Sequence, residues 1–309
     1  MNEIKLFCPA SVANVSCGFD VLGFCLEPIG DEMVIRKTSK KGIHIIKIEG
    51  QKLPLETHKN VAGVAGLALL EDYPCDHGFE IEIHKGIKAG SGIGSSAASS
   101  AGAVFGINEL IGKPLSQKEL IKYAMKGEEL ASGSAHADNV SPVLLGGFTL
   151  VRCSKTPDVV CLPSPSELYA TVIHPKIELR TSDARSVLKK KIHLEKATEQ
   201  WGNLAALVSG LYTNDFDLIG RSLVDVVIEP YRSALIPGFQ ELKKAAIDSG
   251  ALGCGISGSG PSVFALSKGS ETAIRVKEEM DNIYKKFNVE YELHLSKINS
   301  KGIHIISSK

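Results

Sequence analysis

Hydrophobic and polar positions alternate with period two in several short stretches of this chain. The cleanest is "GFEIEIHKGI", where Phe79, Ile81 and Ile83 oppose Glu80, Glu82 and His84, the pattern of a half-buried strand. "GIHIIKIEG", "GFTLVRC", "ELYATVIHP" and "VEYELHLSK" also read as strands. Between them the chain turns helical: "THKNVAGVAGLALLEDY", Ser96 to Leu110, "LSQKELIKYAMKGEELAS", a region from 183 to 229, a segment near 238–248 closed by Gly250, and "SETAIRVKEEMDNIYKKF". The third of these starts on a capping box, Ser116-x-x-Glu119, just after Pro114. The opening segment, from Glu3 to Lys37, reads as a strand, a long polar loop, a second apolar element and another strand. "KGIHII" occurs at 41 and again at 301; two copies so far apart set no repeat, and predict only two similar strands.

"CLPSPSE", with Pro163 and Pro165 between apolar strands, marks the boundary between a first domain at 1–162 and a second at 163–309. The second runs strand, helices, strand, strand, helix, strand, the β-α-β-β-α-β order of a ferredoxin-like unit. The expected class is therefore α+β, with an N-terminal mixed α/β domain and a C-terminal ferredoxin-like α/β sandwich. A length of 309 residues suits two such domains.

Composition narrows the possibilities. Lys plus Arg and Asp plus Glu both total 35, so the formal net charge is zero, which argues against nucleic acid as the main partner. Lys189-Lys190-Lys191 is too short a run to change that, and reads as a solvated face. No apolar run approaches membrane-spanning length, and "MNEIKLFCPA" lacks a signal peptide's apolar core, so a cytoplasmic protein without a membrane partner is expected. The seven cysteines, at 8, 17, 25, 75, 153, 161 and 254, form no CxxC and no zinc spacing, and read as free thiols in a reducing compartment.

The densest run of Gly, Ser and Ala, "KAGSGIGSSAA", lies between the 79–84 strand and the helix that follows. Glycines there allow successive backbone N–H groups to turn inward, in front of a helix N-terminus carrying unpaired donors and partial positive charge. GxxxxGK[ST] fails because no Lys-Ser or Lys-Thr follows; GxGxxG fails because residue 95 is Ser; the GxSxG elbow fails because no Ser has glycines two residues to either side. Two further Gly/Ser-bearing loops stand out, "PASVANVSCGFDVLG" near the N-terminus and "GISGSGPSVFAL" in the second half.

Together with "HADNVSPVLLGGF", these segments resemble the ordered motifs of the GHMP small-molecule kinases over residues 9 to about 266. The departures are Lys88 where the family often has Pro, Ile93 for Leu, and Ser16-Cys17 where Gly and Pro are common. The resemblance implies the two-domain fold of that family, ATP and Mg2+ as cofactors, and transfer of the γ-phosphoryl group to the hydroxyl of a small molecule. Its details are nearest to members whose acceptor is L-homoserine, and it is compatible with a homodimer.

By matching motif positions, the resemblance assigns ATP to Lys88, Ala89, Gly90, Ser91, Gly92, Ile93, Gly94, Ser95, Ser96 and Ala97, with Asn60 at the adenine. It assigns the metal to Ser96 and Glu128, preferring Glu128 over its neighbour Glu129, since adjacent helical residues point about 100° apart. For a zwitterionic acceptor it places Asp20 at the ammonium with Asn14 beside it, and Arg185 and Arg232 at the carboxylate with Thr181 close by. His136 is expected to contact the substrate and Asn139 the reacting hydroxyl, while Asp138 is expected to be structural, bonded to backbone in its turn. On this reading Gly92→Val crowds the phosphates and leaves the fold intact.

Overall fold

Period two along the chain becomes two sheets in the structure, a computed structural model that describes residues 1–309. The first half contains β1 (Glu3–Ala13), β2 (Leu22–Thr38), β3 (Ile43–Glu49), α1 (Val61–Asp72), β4 (Gly78–His84), α2 (Ser95–Leu110), α3 (Gln117–Ser132), α4 (Val140–Leu145), β5 (Phe148–Cys153) and β6 (Asp158–Leu162). The second contains β7 (Leu168–Pro175), α5 (Thr181–Ser186), α6 (Leu194–Thr213), α7 (Phe216–Ser222), α8 (Glu229–Arg232), α9 (Phe239–Asp248), β8 (Gly253–Ile256), β9 (Val263–Lys268), α10 (Ser270–Tyr284), β10 (Tyr291–Lys297) and β11 (His304–Ser308).

The first sheet runs β11-β1-β2-β4-β3, with β5 added on β2 and β6 on β5. Only β3 and β4 pair in parallel, which is why α1 must cross between them. Against this sheet lies α2, buried on nearly every side, with α1 and α3 beyond it. Its small residues permit that: a Cβ at Gly106 would come 2.5 Å from Ile35 Cδ1, and one at Gly102 2.7 Å from Cys8 Sγ. The capping box of α3 is formed as its sequence predicts.

The second sheet runs β10-β7-β9-β8, antiparallel throughout, which is the strand order 4-1-3-2 of a ferredoxin-like unit. One of its faces buries Ile173, Val263 and Cys254 under Phe239 and Leu242 of α9 and Met280 and Tyr284 of α10. The other contributes Leu168, Phe264 and Leu266 to the core of the first domain, so the two units share apolar packing.

Three features differ from the sequence reading. The polar loop expected after the first strand is shorter than its sequence suggests, since β1 continues to Ala13 and β2 begins at Leu22. Pro9 is accommodated because the β1–β2 register shifts between Pro9 and Ser11, where the ladder does not need its missing N–H. The second apolar element and the strand after it are one long strand, β2, whose exposed Glu27 and Pro28 made it look like two. Finally, the division at 163–309 does not hold at the C-terminus. There β11 leaves the second unit and pairs antiparallel with β1, covering an edge that would otherwise be open. The two "KGIHII" copies thus supply strands at opposite edges of one sheet.

No two cysteines pair, and Cys8, Cys17, Cys25 and Cys254 are buried. Burial pushes the thiols of Cys17, Cys25 and Cys254 up to about 12, leaving them inert at neutral pH. No helix is long and apolar enough to cross a membrane.

Candidate active site

Between the two units lies a cleft of about 890 Å³, lined by 31 residues of which only 6 are hydrophobic. Such a lining suits a charged ligand rather than an apolar one. The loop between β4 and α2 forms one wall. Gly90, Gly92 and Gly94 have φ of +75°, +81° and +75°, a region that only glycine enters without strain. The backbone N–H groups of Gly90, Gly92, Gly94, Ser95, Ser96 and Ala97 find no acceptor in the chain. Unpaired donors at a helix N-terminus are what a phosphate group satisfies.

The loop is held from behind. Ser257 Oγ donates to Gly92 O at 2.7 Å and Ser262 Oγ to Ser91 O at 2.6 Å, both from the glycine loop of the second unit. Gln51 accepts from Ala89 N at 2.8 Å and donates to Ile87 O at 3.0 Å. The seam changes the reading of Gly92, because a Cβ there would meet Gly260 O at 2.5 Å and Ser257 O at 3.0 Å. Gly92→Val therefore wedges the two glycine loops apart before it reaches a phosphate. A melting temperature lowered by several degrees, together with weakened ATP binding, is the expected result of thermal denaturation and nucleotide titration.

Deeper in the cleft, Glu128 is 5 % exposed and its Oε1 has no hydrogen-bond partner, while Glu129 sits on the surface beside Lys126. Burial pushes the Glu128 carboxyl up to about 7, against the lowering influence of the Ser96 hydroxyl and Lys85. Lys85, which the sequence reading missed, is ion-paired with Asp31 and donates to Ser95 O at 3.0 Å and Ser99 Oγ at 3.1 Å. It places a buried positive charge under the start of α2. Asp138 is not bonded into its turn as expected: its Oδ1 is buried without a partner. Burial, then the charges of Asp20 and Glu128, push its carboxyl up to about 7.

At the other end of the cleft, the groups expected to hold a zwitterion hold one another. Arg185 Nη2 donates to Asp20 Oδ1 at 2.9 Å, to Oδ2 at 3.0 Å, and to His136 Nε2 at 2.8 Å. His136 Nε2 is thus an acceptor, and burial holds its ring below the ordinary histidine pKa. Arg232 is 3 % exposed, with Nε donating to Ala184 O and Nη1 to Gly258 O, each at 3.0 Å. Burial, then the neighbouring Arg185, lower its guanidinium to about 10, which leaves it charged at neutral pH. Phe19, also missed, lies under both guanidinium groups, 5.6 Å from Arg185 and 5.1 Å from Arg232, and its ring face eases their like-charge approach.

These groups hang on a strained turn. Asn14, Val15 and Ser16 are consecutive non-glycine residues with φ of +71°, +42° and +62°, and Asp20 follows at +61°. Left-handed backbone costs about 1–2 kcal/mol per L-residue, so the turn persists only because its surroundings hold it. Asn14 uses both ends of its amide for this purpose: Nδ2 donates to Gly258 O at 2.6 Å and Oδ1 accepts from Asp20 N at 3.0 Å. Thr181 Oγ1 lies 3.4 Å from Ser259 Oγ on the cleft wall. Asn139 stands against the glycine-rich loop, its Oδ1 accepting from Ser11 Oγ at 2.8 Å.

The cleft thus brings together Lys88, Ala89, Gly90, Gly92, Gly94, Ser95, Ser96 and Glu128 with Asn14, Asp20, His136, Asn139, Thr181, Arg185 and Arg232. Ser91, Ile93 and Ala97 face inward to the protein, and only the Ala97 backbone N–H is left to bind. Asn60 does not line the cleft: its Oδ1 caps α1 at Ala62 N and its Nδ2 donates to Pro54 O. The neighbouring Leu53 and Val61 line the cleft in its place.

Known proteins resemble this chain along nearly its whole length. Residues 59–147 match the family model "GHMP kinases N terminal domain", and residues 205–286 match "GHMP kinases C terminal". A homoserine kinase of Chlorobium phaeobacteroides (strain BS1) is 44% identical over 320 residues, spanning 99% of this chain and 100% of that protein. One from Chlorobaculum tepidum is 45% identical, spanning 100% and 99%. The crystal structure of homoserine kinase from Cytophaga hutchinsonii superposes with a TM-score of 0.95 at 50% identity, covering 99% of this chain and 98% of the other. The L. major mevalonate kinase, at 14% identity and a TM-score of 0.72, shares the fold.

Proposed function

The chain belongs to the GHMP kinase family, and from that premise we propose that it is a homoserine kinase, transferring the γ-phosphoryl group of ATP to the hydroxyl of L-homoserine to give O-phospho-L-homoserine on the route to threonine. The observation that carries the reading is the pairing, in one cleft, of unpaired loop N–H groups with an Asp20–Arg185–Arg232 cluster of both charges. The loop and the N-terminus of α2 bind the phosphates. Asp20 takes the ammonium of the acceptor, Arg185 and Arg232 its carboxylate, and Asn139 its hydroxyl. Phosphoryl transfer asks mainly for such positioning and for neutralised charge. A coupled ADP-release assay across homoserine, mevalonate, shikimate and galactose tests this; turnover only with one of the last three overturns it.

Magnesium is the proposed metal, and the residues fit it. The unpaired Glu128 oxygen and the Ser96 hydroxyl are hard donors, and no cluster of three His, Cys, Asp or Glu builds a closed site, as suits an ion that keeps waters and phosphate oxygens. Bound there, the ion would neutralise phosphate charge. Because Glu128 titrates at about 7 and must be ionised to bind a cation, metal binding releases its proton increasingly as pH falls below 7. Calorimetry of Mg·ADP binding at pH 6.5 in buffers of different ionisation enthalpy should show roughly three-quarters of a proton more released by the wild type than by Glu128→Gln. Equal release overturns the assignment. The proposal includes a cytoplasmic location, and the exposed Leu194, Trp201 and Tyr212 on α6 are compatible with a homodimer.

A further inference from the structure

Behind the acceptor end of the cleft, away from every residue assigned above, a single side-chain amide joins the two walls. Gln200, on α6 and 9 % exposed, donates from Nε2 to Cys17 O at 3.0 Å and to Asp225 Oδ1 at 3.0 Å. Its Oε1 accepts from Val226 N at 3.0 Å. Cys17 directly follows the left-handed turn at 14–16 and lies three residues before Asp20. Asp225 in turn accepts from Val227 N and Ile228 N at Oδ1 and from Glu229 N at Oδ2, all at 2.9 Å, and so closes the N-terminus of α8, the helix that ends in Arg232.

We propose that Gln200 and Asp225 are positioning residues for the acceptor. Together they form a clasp that fixes the strained turn bearing Asp20 relative to the short helix bearing Arg232, and thereby sets the spacing between the anion and the cation that a zwitterion must bridge. The inference rests on the reading of this end of the cleft as an amino-acid site. Its physical basis is that both walls are weak by themselves. The turn holds consecutive non-glycine residues at positive φ, and α8 is a single turn, too short to hold its own shape. On the cleft side, Gly258 O accepts from both Asn14 Nδ2 and Arg232 Nη1, so one carbonyl ties the walls in front and one amide ties them behind. A buried glutamine with both ends of its amide engaged is hard to replace, since any apolar substitute leaves Cys17 O and Val226 N without partners.

The clasp touches neither the phosphate loop nor Glu128, so its loss should separate the two substrates kinetically. Gln200→Met keeps the length and removes all three bonds. The expected result is a KM for homoserine raised at least tenfold, a KM for ATP within twofold of wild type, and a kcat at saturating homoserine within about threefold. Asp225→Asn, which keeps the shape and loses the charge, should give the same split with a smaller rise in KM, and decides the matter if Gln200→Met does not fold. A folded variant with an unchanged homoserine KM overturns the proposal. So does a parallel rise in both KM values, which is what general loosening would give. Wild-type turnover of homoserine, measured alongside, separates failure of the clasp from failure of the amino-acid reading.

Discussion

4-Hydroxybutanoate and 3-aminopropan-1-ol, each homoserine with one charged group removed, are expected to be phosphorylated roughly 10³-fold or more less efficiently than L-homoserine in kcat/KM. The reason lies in the pair that Arg185 and Asp20 make directly with each other. An incoming ligand has to replace that pair. A zwitterion replaces both halves at once, its ammonium facing Asp20 and its carboxylate facing Arg185 and Arg232. A carboxylate alone takes Arg185 and leaves Asp20 unpaired beside Asp138, and an ammonium alone leaves two guanidinium groups facing each other. The pair itself is worth little, since both side chains are about one-third exposed (33% and 34%) and solvent screens them. Selectivity comes instead from the charge that the wrong ligand strands. Asp20→Asn removes that stranded charge, so it should weaken homoserine while improving 4-hydroxybutanoate relative to wild type. Steady-state assays with the three acceptors check both statements, and comparable turnover of either truncated analogue defeats the zwitterion site.

The elements of this site differ in how far the sequence could reveal them. The geometry of the glycine-rich loop was legible because its determinants are local. Three glycines needing positive φ, a strand before them and a helix after them all fall within a short stretch. The ferredoxin-like order was legible because period-two and period-3.6 segments alternate clearly in the second half. What escaped depends on approach between distant segments. Gln200 meets Cys17 across 183 positions, Ser262 meets Ser91 across 171, and β11 meets β1 from opposite ends of the chain. No periodicity within 196–204 distinguishes a clasping Gln200 from a solvated one. Lys85 escaped for another reason. As the residue after an alternating strand it looked like its polar end, whereas its partner Asp31 lies buried on the adjacent β2. Asn60 shows a second role that its motif position did not reveal, since its place before α1 makes it a cap.

The remaining large effect concerns the proton that the acceptor hydroxyl must lose. Two residues compete for the role, and their surroundings differ. Asn139 stands at the phosphate loop, close enough that a Cβ on Gly94 would lie 3.2 Å from its Oδ1. That oxygen accepts from Ser11, and the NH2 is free to orient a hydroxyl oxygen or a phosphate, but neither end of an amide takes up a proton at neutral pH. Asp138 has the right chemistry, yet it is only 3 % exposed, and burial with two neighbouring carboxylates keeps it half-protonated near pH 7. In a loose phosphoryl-transfer transition state the nucleophile need not be deprotonated early, so a γ-phosphate oxygen can receive the proton late. A positioned general base is typically worth 10²–10⁴-fold. Asp138→Asn is therefore expected to lose less than about 10²-fold in kcat, the lower edge of that range. The same substitution should stabilise the nucleotide-free protein above pH 7. A carboxyl whose folded pKa is raised from 3.8 to about 7 withdraws stability as pH climbs through that interval, and an amide does not. Asn139→Ala, by contrast, should raise the homoserine KM and lower kcat together, because it leaves the hydroxyl unaimed. Rapid-quench kinetics and thermal melts at pH 6 and 8 on the two variants measure all of this. An Asp138→Asn enzyme that folds, binds homoserine normally and loses several thousandfold in kcat would make Asp138 the base.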